Sequence, residues 1–154
     1  MYDVLILGAG ISGMTAAIYC LRAGLNTAII EKSIYGGQMS ITNEIENYPG
    51  INKISGINLA QAIYEQTKSL GGKFIFDEIN TADLKGNIKT LRSTKNEYQS
   101  KTVIISTGIK RRKLKCKGEN EFIGKGVSYC ATCDGTFFKN KNILIVGGGN
   151  TALE

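Results

Sequence analysis

Apolar residues form two short runs near the start of the chain, with a helical pattern between them. Residues 2–7 and 25–30 are rich in aliphatic side chains, which is typical of buried strands in a parallel sheet. Between the runs, apolar residues recur every three or four positions up to Gly24, a residue type that often ends a helix. The pattern predicts a strand–helix–strand unit of about thirty residues, closed by Glu31.

Downstream of this unit the pattern changes several times. Residues 33–56 have no periodicity and are expected to be a long, turn-rich connection. Residues 57–70 have the spacing of an amphipathic helix, with Leu59, Ile63 and Leu70 as core positions. Short alternating segments then predict a small antiparallel meander, followed by further buried strands. The segments expected to be strands are 73–76, 78–84, 88–92, 97–99, 102–106 and 142–146.

A glycine motif, Gly8-Ala9-Gly10-Ile11-Ser12-Gly13, joins the first strand to the first helix. Gly8 permits a tight turn, Gly10 lets the backbone approach a pyrophosphate, and Gly13 lets helix and strand pack closely. The amide groups at the helix start favour phosphate, and Glu31 suits the hydroxyls of a ribose while repelling a 2′-phosphate. We therefore expect a dinucleotide site, against the alternative of a glycine-rich turn in another α/β protein.

A second motif of the same kind follows the apolar segment 142–146. It has the form Gly-x-Gly-x-x-Ala, from Gly147 through Gly149 to Ala152. Two dinucleotide motifs with a pair of cysteines between them suggest an electron relay, in which one site holds a flavin and the other a nicotinamide.

Cys130 and Cys133 are two residues apart, so they can close and reopen a small disulfide, and Asp134 can hold or deliver a proton. The alternative is half of a zinc site, which needs four ligands. The chain has no His and four cysteines in all. Cys20 has the position of a packed helix residue and Cys116 has a different spacing, so we predict no metal.

Charge and composition limit the classes of partner. The 154 residues carry a formal net charge of +6, and only the run from 110 to 117 concentrates basic residues. No aromatic residues interleave with this run, so a solvated connection is favoured over a phosphate patch, and no nucleic acid is expected. No apolar run approaches the ~20 residues of a membrane span. Cysteines without a secretory signal favour the reducing cytoplasm.

Together these motifs resemble the N-terminal part of the bacterial-type, low-molecular-weight thioredoxin reductases. The resemblance covers all 154 residues, and the string Cys-Ala-Thr-Cys-Asp after Val-Ser-Tyr is highly specific. The segments that carry the resemblance are Gly8–Gly13, Gly36-Gly37-Gln38, Glu46-Asn47-Tyr48-Pro49-Gly50, Ser106-Thr107-Gly108, Cys130–Asp134 and Gly147–Ala152.

The resemblance implies an α/β fold with two Rossmann-like domains. The first, over residues 1–111, is an FAD-binding domain with a parallel sheet and a small antiparallel β-meander, and it lacks its C-terminal return segment. The second, over residues 112–154, is the start of an NAD(P)-binding domain that carries the dithiol. The resemblance also implies FAD and NADPH as cofactors, thioredoxin as the disulfide substrate, and a homodimer.

The resemblance further implies a role for each site residue. Cys133 would receive electrons from the flavin, Cys130 would exchange with thioredoxin, and Asp134 would manage protons. The residues implied for FAD are Gly8, Gly10, Ser12, Gly13, Glu31, Gly37, Gln38, Asn47, Thr107 and Gly108. Those implied for NADPH are Gly147, Gly149, Asn150, Thr151 and Ala152.

Members of this family continue beyond the position of Glu154 with the rest of the NADPH domain. We therefore expect the chain to be a fragment that leaves residues 143–146 exposed, binds FAD weakly and does not turn over NADPH. Two alternatives stay open. One is a related reductase with ferredoxin or NADH as donor, or with a peroxiredoxin-type acceptor. The other is an inactive, truncated flavin-binding module.

Overall fold

The computed structural model describes residues 1–110 and 112–153, and of these it describes Thr132, Cys133, Asn150 and Thr151 by their backbone alone. The chain divides into two compact units, Met1–Ile109 and Lys110–Glu154. The boundary predicted between residues 111 and 112 involves Arg111, which lies outside the described residues, as does Glu154.

The first unit is built on a six-stranded mixed sheet with the strand order β3-β2-β1-β6-β5-β4. Strands β3, β2, β1 and β6 run parallel, and β6, β5 and β4 form the antiparallel meander. The α/β fold with its parallel sheet and meander is therefore confirmed. The strand bounds are β1 Tyr2–Leu7, β2 Thr27–Glu31, β3 Lys73–Phe76, β4 Thr81–Asp83, β5 Lys89–Arg92 and β6 Glu97–Ile105.

Two helices, α1 Ile11–Arg22 and α2 Gly56–Ser69, contribute to a core that also contains β1 and β2 residues. Ser55 begins α2, because its hydroxyl accepts a hydrogen bond from the Asn58 amide at 3.3 Å. Leu59 and Ile63 are buried as expected. Leu70 was wrongly expected in the core: it follows the last helical residue and is 36% exposed.

The strands predicted at 97–99 and 102–106 are one continuous strand, β6. Its first part pairs antiparallel with β5, and its second part pairs parallel with β1. Ser100 pairs with Lys89 on one side and Tyr2 on the other, so its backbone lies between two strands. The polar residues near 100 interrupt the apolar pattern without interrupting the pairing. The segment expected at 78–84 contains only the short strand β4.

The meander packs on the sheet through a second core. Leu91 and Tyr98 belong to the same apolar cluster as Leu5, Ala28 and Ile30. Strands β3 and β4 are the two edges of the sheet, which in a flat sheet would lie about 24 Å apart. The connection between them, residues 77–80, reaches roughly 17 Å at most. The sheet must therefore curl, and this curl lets the meander cover its second face.

The long connection 33–56 is more ordered than its sequence suggests. It contains a 3₁₀ helix, Gly37–Ile41, and two isolated bridges that pair Ile45 with Ile54 and Tyr48 with Ile51. A Cβ at Gly56 would lie 1.9 Å from the Met39 carbonyl oxygen, so the connection packs closely on the start of α2.

The second unit has little regular structure. Its elements are α3 Ala131–Asp134, a 3₁₀ helix Gly135–Phe138 and α4 Asn150–Leu153. The prediction of a buried strand at 142–146 is wrong. The described residues of this unit contain no strand that could form hydrogen bonds with the backbone of this segment. Residues 143–146 are exposed, as expected, and Leu144 reaches 88%. None of the helices in the described ranges has the length and apolar character needed to cross a bilayer.

Candidate functional site

The glycine loop between β1 and α1 lies at the carboxyl end of the parallel sheet. Gly8 has a φ of 99°, and a Cβ there would meet the Ser106 carbonyl oxygen at 2.4 Å. A Cβ at Gly13 would lie 1.9 Å from the Gly8 carbonyl oxygen, so this glycine permits the contact between helix and strand. A Cβ at Gly10 would meet nothing within 4 Å. The loop is therefore tight against the protein at Gly8 and Gly13 and open at Gly10.

Glu31 ties the end of β2 to this loop. Its Oε2 accepts a hydrogen bond from the Ala9 amide at 2.9 Å, and its Oε1 accepts one from the Ser33 amide at 3.1 Å. Oε1 also accepts a hydrogen bond from the Ser33 hydroxyl at 3.4 Å. Oε2 keeps a further lone pair, which leaves capacity for a ribose hydroxyl. The contact with Ala9 was not foreseen from the sequence, and the acid at the strand end is its only sequence signal.

Ser106 holds the end of β6 to the same loop. Its hydroxyl donates to the Leu7 carbonyl oxygen at 2.8 Å, and its amide donates to the same oxygen at 2.8 Å. Thr107 and Gly108 follow it and are exposed, and Gly108 has a φ of 71°. Ser106 belongs to the Ser-Thr-Gly motif, but the sequence predicted no role for it. Its side chain brings the Ser-Thr-Gly segment to the glycine loop.

An open cavity of about 350 Å³ lies beside Gly8 and Glu31, where the ends of β1 and β2 meet the start of the meander. The border of the cavity is largely acidic, because it contains Glu31, Asp77 and Glu78 and one basic residue, Lys32. Sequence reasoning missed its 77–82 wall because that segment was expected to be mostly strand. The lining residues are Leu7, Gly8, Ile30, Glu31, Lys32, Asp77, Glu78, Ile79, Asn80, Thr81, Ala82 and Thr107.

Asp77 is the most strongly hydrogen-bonded carboxylate of this cavity. Its Oδ2 accepts from the Tyr98 hydroxyl at 2.6 Å and from the Asn96 side-chain amide at 2.9 Å. The bond from Tyr98, followed by that from Asn96, lowers the pKa of Asp77 to about 2. Burial, followed by the bond to Asp77, raises the pKa of Tyr98 to about 12. Both shifts favour an ionised Asp77 bound to a neutral Tyr98.

The motif Gly36-Gly37-Gln38 also reaches the glycine loop. Gly36 has a φ of 97°, its amide donates to the Ala9 carbonyl oxygen at 2.8 Å, and it forms a bridge with Gly10. Gly37 and Gln38 are exposed at the start of the 3₁₀ helix. Asn47 is exposed further along the connection. The structure thus brings Gly37 beside the loop at Gly10, where a Cβ on Gly37 would lie 3.4 Å from the Gly10 Cα.

In the second unit, Cys130 is disulfide-bonded and directly precedes α3. The Ser128 hydroxyl donates to Asp134 Oδ2 and accepts a hydrogen bond from the Cys130 amide at 3.1 Å. The Asp134 amide donates to the Cys130 carbonyl oxygen at 3.1 Å. Ser128, which was not assigned a role from the sequence, therefore links the acid to the cysteine. The backbone of Cys133 lies in α3, and its side chain is outside the described residues.

Glu119 anchors the segment before the cysteines. It is only 4% exposed, and its carboxylate accepts hydrogen bonds from the Tyr129 hydroxyl and from the amides of Leu114 and Lys115 at 2.8 and 2.6 Å. The bond from Tyr129 is the main reason that the pKa of Glu119 is lowered. Glu119 therefore connects the residue before Cys130 to the irregular segment at 114–115.

The second glycine motif, at residues 147–152, has free space beside its backbone. Gly147 has a φ of 123°, and a Cβ at Gly148 or Gly149 would meet nothing within 4 Å. Ala152 is half-buried in α4, whereas the side chains of Asn150 and Thr151 lie outside the described residues.

Cys20 and Cys116 are not in disulfides. Within the part of the chain that the structure describes, no three His, Cys, Asp or Glu side chains are grouped as metal ligands would be.

Comparison with known proteins gives a consistent result. The profile of the family described as pyridine nucleotide-disulphide oxidoreductase matches residues 2–154. The chain is 45% identical over 154 residues to a thioredoxin reductase of Listeria monocytogenes and 44% identical to one of Bacillus subtilis. Both alignments cover the whole of this chain, but 48% and 49% of the respective relatives.

The solved structures agree with the sequences. The crystal structure of a thioredoxin reductase from Streptococcus pyogenes superimposes with a TM-score of 0.94 at 46% identity. That alignment covers 99% of this chain and 50% of the crystallised one. The chain therefore spans about half the length of the proteins that it matches.

Proposed function

The chain belongs to the pyridine nucleotide-disulphide oxidoreductases, and from that premise we propose that the whole protein is a thioredoxin reductase. It would pass electrons from NADPH through FAD to a dithiol, and from there to thioredoxin. The observation that carries the proposal is the disulfide at Cys130, next to an acid that is hydrogen-bonded to Ser128. Thiol–disulfide exchange proceeds by attack of a thiolate on a disulfide sulfur, and an acid beside the pair can take up and return the proton.

The first unit has a suitable shape for FAD. Gly10 leaves open space at the N-cap of the twelve-residue helix α1, where backbone amides suit a pyrophosphate. The cavity beside Glu31 suits the adenosine end, and its acidic border disfavours a 2′-phosphate. On the flavin side we assign Gly37, Gln38, Asn47, Thr107 and Gly108. The chemistry that FAD supplies when bound is the passage of two electrons from a nicotinamide to a disulfide.

The second unit would carry the thiol chemistry. We pair Cys130 with Cys133, whose reduction takes two electrons and two protons and leaves two thiols. The Cys130 thiolate then attacks the disulfide of thioredoxin, and Cys133 resolves the mixed disulfide. Asp134 takes the proton that the Cys130 thiol gives up and returns it to the thioredoxin sulfur that leaves, and Ser128 orients the carboxylate. The net exchange moves two electrons and two protons to thioredoxin.

The remaining assignments rest on the open loop of the second unit and on the family. We assign Gly147, Gly149, Asn150, Thr151 and Ala152 to the phosphates of NADPH, since Gly148 and Gly149 leave space there. We also propose a homodimer as the assembly. A thiol pair that must cycle between dithiol and disulfide suits the reducing cytoplasm, which we propose as the compartment.

The test uses the full-length protein with its FAD. Rapid mixing with NADPH should bleach the flavin, and thioredoxin should then be reduced at the expense of NADPH. Cys130→Ser should abolish reduction of thioredoxin, because the attacking sulfur is lost, while bleaching by NADPH persists. Parallel mixing with NADH and with reduced ferredoxin identifies the donor.

Two results would contradict the proposal. Bleaching by reduced ferredoxin alone would remove NADPH as the donor. Undiminished reduction of thioredoxin by Cys130→Ser would remove the dithiol from the reaction.

A further inference from the structure

Part of the 77–82 wall of the cavity beside Glu31 is a four-residue connection, 77–80, that spans from β3 to the meander. It is attached to the sheet through the backbone at both ends. The Asp77 amide donates to the Glu31 carbonyl oxygen at 3.0 Å, and the Asn80 amide donates to the Arg92 carbonyl oxygen at 2.8 Å. Because the connection is short and irregular, side-chain bonds have a large share in holding its conformation.

The Asp77 carboxylate provides these bonds and is directed to the protein. Its Oδ1 accepts from the Glu78 amide at 2.9 Å, and its Oδ2 accepts from Asn96 and Tyr98. Tyr98 is half-buried against the second core and does not line the cavity. Asp77 thus joins the cavity wall to the first residues of β6.

The same residue is coupled to the glycine loop. Asp77 bonds through its amide to Glu31, whose side chain in turn holds the Ala9 amide. A path of hydrogen bonds therefore runs from Tyr98 through Asp77 and Glu31 to the loop that faces the open space at Gly10. A displacement of Asp77 would move the cavity wall and, through Glu31, the loop.

We propose that Asp77, held by Tyr98 and Asn96, is a positioning residue for the adenosine end of the dinucleotide, and that it contributes to the preference of this site for FAD over FMN. The inference rests on the proposed function, since it takes FAD to be the ligand of the first unit. It assigns to Asp77 no contact with the ligand. FMN lacks the adenosine part, so it gains nothing from an ordered wall at this cavity.

The experiment measures binding to the full-length protein after its flavin has been removed. The probes are FAD, ADP and FMN, and the variant is Tyr98→Phe, which removes the hydroxyl and keeps the ring in the core. We expect the Kd values for FAD and ADP to rise by about tenfold, as for loss of a hydrogen bond to a charged group. The Kd for FMN should stay unchanged, which a general loss of folding would not produce.

Two further variants are measured, one as a control and one as a second test of the hydrogen bonds to Asp77. Tyr2→Phe removes a hydroxyl from the same apolar cluster that gives no hydrogen bond to Asp77, and it should leave all three Kd values unchanged. Asn96→Ala alters an exposed residue, so it carries little risk for folding, and it should weaken FAD and ADP by about threefold.

The outcomes separate the inference from the function on which it rests. Unchanged FAD and ADP binding in both Tyr98→Phe and Asn96→Ala, or an equal loss of FMN binding, would overturn the role of Asp77 alone. Failure of the unaltered protein to bind FAD would overturn the proposed function, and the inference with it.

Discussion

At Gly13 the backbone of α1 comes so close to β1 that no side chain fits between them. A Cβ there would lie 1.9 Å from the Gly8 carbonyl oxygen and 2.7 Å from the Ser106 hydroxyl. Gly13→Ala must push the helix away from the strand, and we expect it to lower the free energy of unfolding by roughly 1–3 kcal/mol. Urea unfolding of the full-length protein measures the change.

Gly10→Ala is the matched variant, because a Cβ at Gly10 meets nothing within 4 Å and its φ is −72°. We expect it to keep the stability of the wild type and to weaken binding of FAD, since the new methyl group would enter the space assigned to the pyrophosphate. Equal stability loss in the two variants would show that the loop does not distinguish these positions.

Asp77 also makes stability depend on pH. Its pKa in the folded state is about 2, below the ~3.9 of an unfolded chain. Its contribution is therefore complete above about pH 5 and is lost as the pH falls through about 4 towards 2. We expect the difference in unfolding free energy between wild type and Asp77→Asn to shrink over this range.

Urea unfolding at a series of pH values gives that difference. Tyr98→Phe should reduce the same pH dependence, since the Tyr98 hydroxyl is the main cause of the shift. A difference that is constant down to about pH 2 would contradict the assigned role of these hydrogen bonds.

At the scale of elements, α2 depends on a side chain that lies outside it. The Ser55 hydroxyl accepts from the Asn58 amide, one of the amides that a helix leaves without an internal partner. Ser55→Ala should lower the free energy of unfolding by about 1 kcal/mol. Ser69→Ala is the control at the other end, where the hydroxyl only donates to the Gln66 carbonyl oxygen. Comparable losses at both ends would argue against a capping role.

The segment before Cys130 depends in a similar way on Glu119. Its carboxylate holds the amides of Leu114 and Lys115 as well as the Tyr129 hydroxyl. Glu119→Ala should speed hydrogen exchange at those two amides, because their buried acceptor is lost. Glu121→Ala, at an exposed neighbour, should leave them protected. Unchanged protection in Glu119→Ala would mean that other contacts hold residues 114 and 115 in place.

At the scale of the whole molecule, the second unit exposes a run of aliphatic side chains at 143–146. In a polypeptide of residues 1–154 such a segment, with high β-propensity and no charge, favours association between molecules. Leu144→Asp should reduce its light scattering at a given concentration, and the unfolding of the first unit should not change. Equal scattering by both polypeptides would show that this segment does not drive association.

Local chemistry explains what the sequence determined by itself. A run of aliphatic residues, a glycine loop and a helical period describe the strand–helix–strand unit from neighbouring residues alone, and the structure has it at 2–31. The same holds for the motif from Cys130 to Asp134, which identified the family that the comparisons confirm. These features depend on side chains within a few positions of each other, so they can be recognised in the sequence without knowledge of the fold.

The tertiary structure decided features that depend on distant partners. Strand β6 is continuous because β1 and β5 pair with it on opposite sides, although the polar residues near 100 predicted a break. Residues 142–146 form no strand because their described surroundings in the second unit contain none. The cavity wall exists because the sheet curls and brings Asp77 to Tyr98, twenty-one positions away. Hydrogen-bond partners of this kind are set by the path of the chain, which no local pattern of residues specifies.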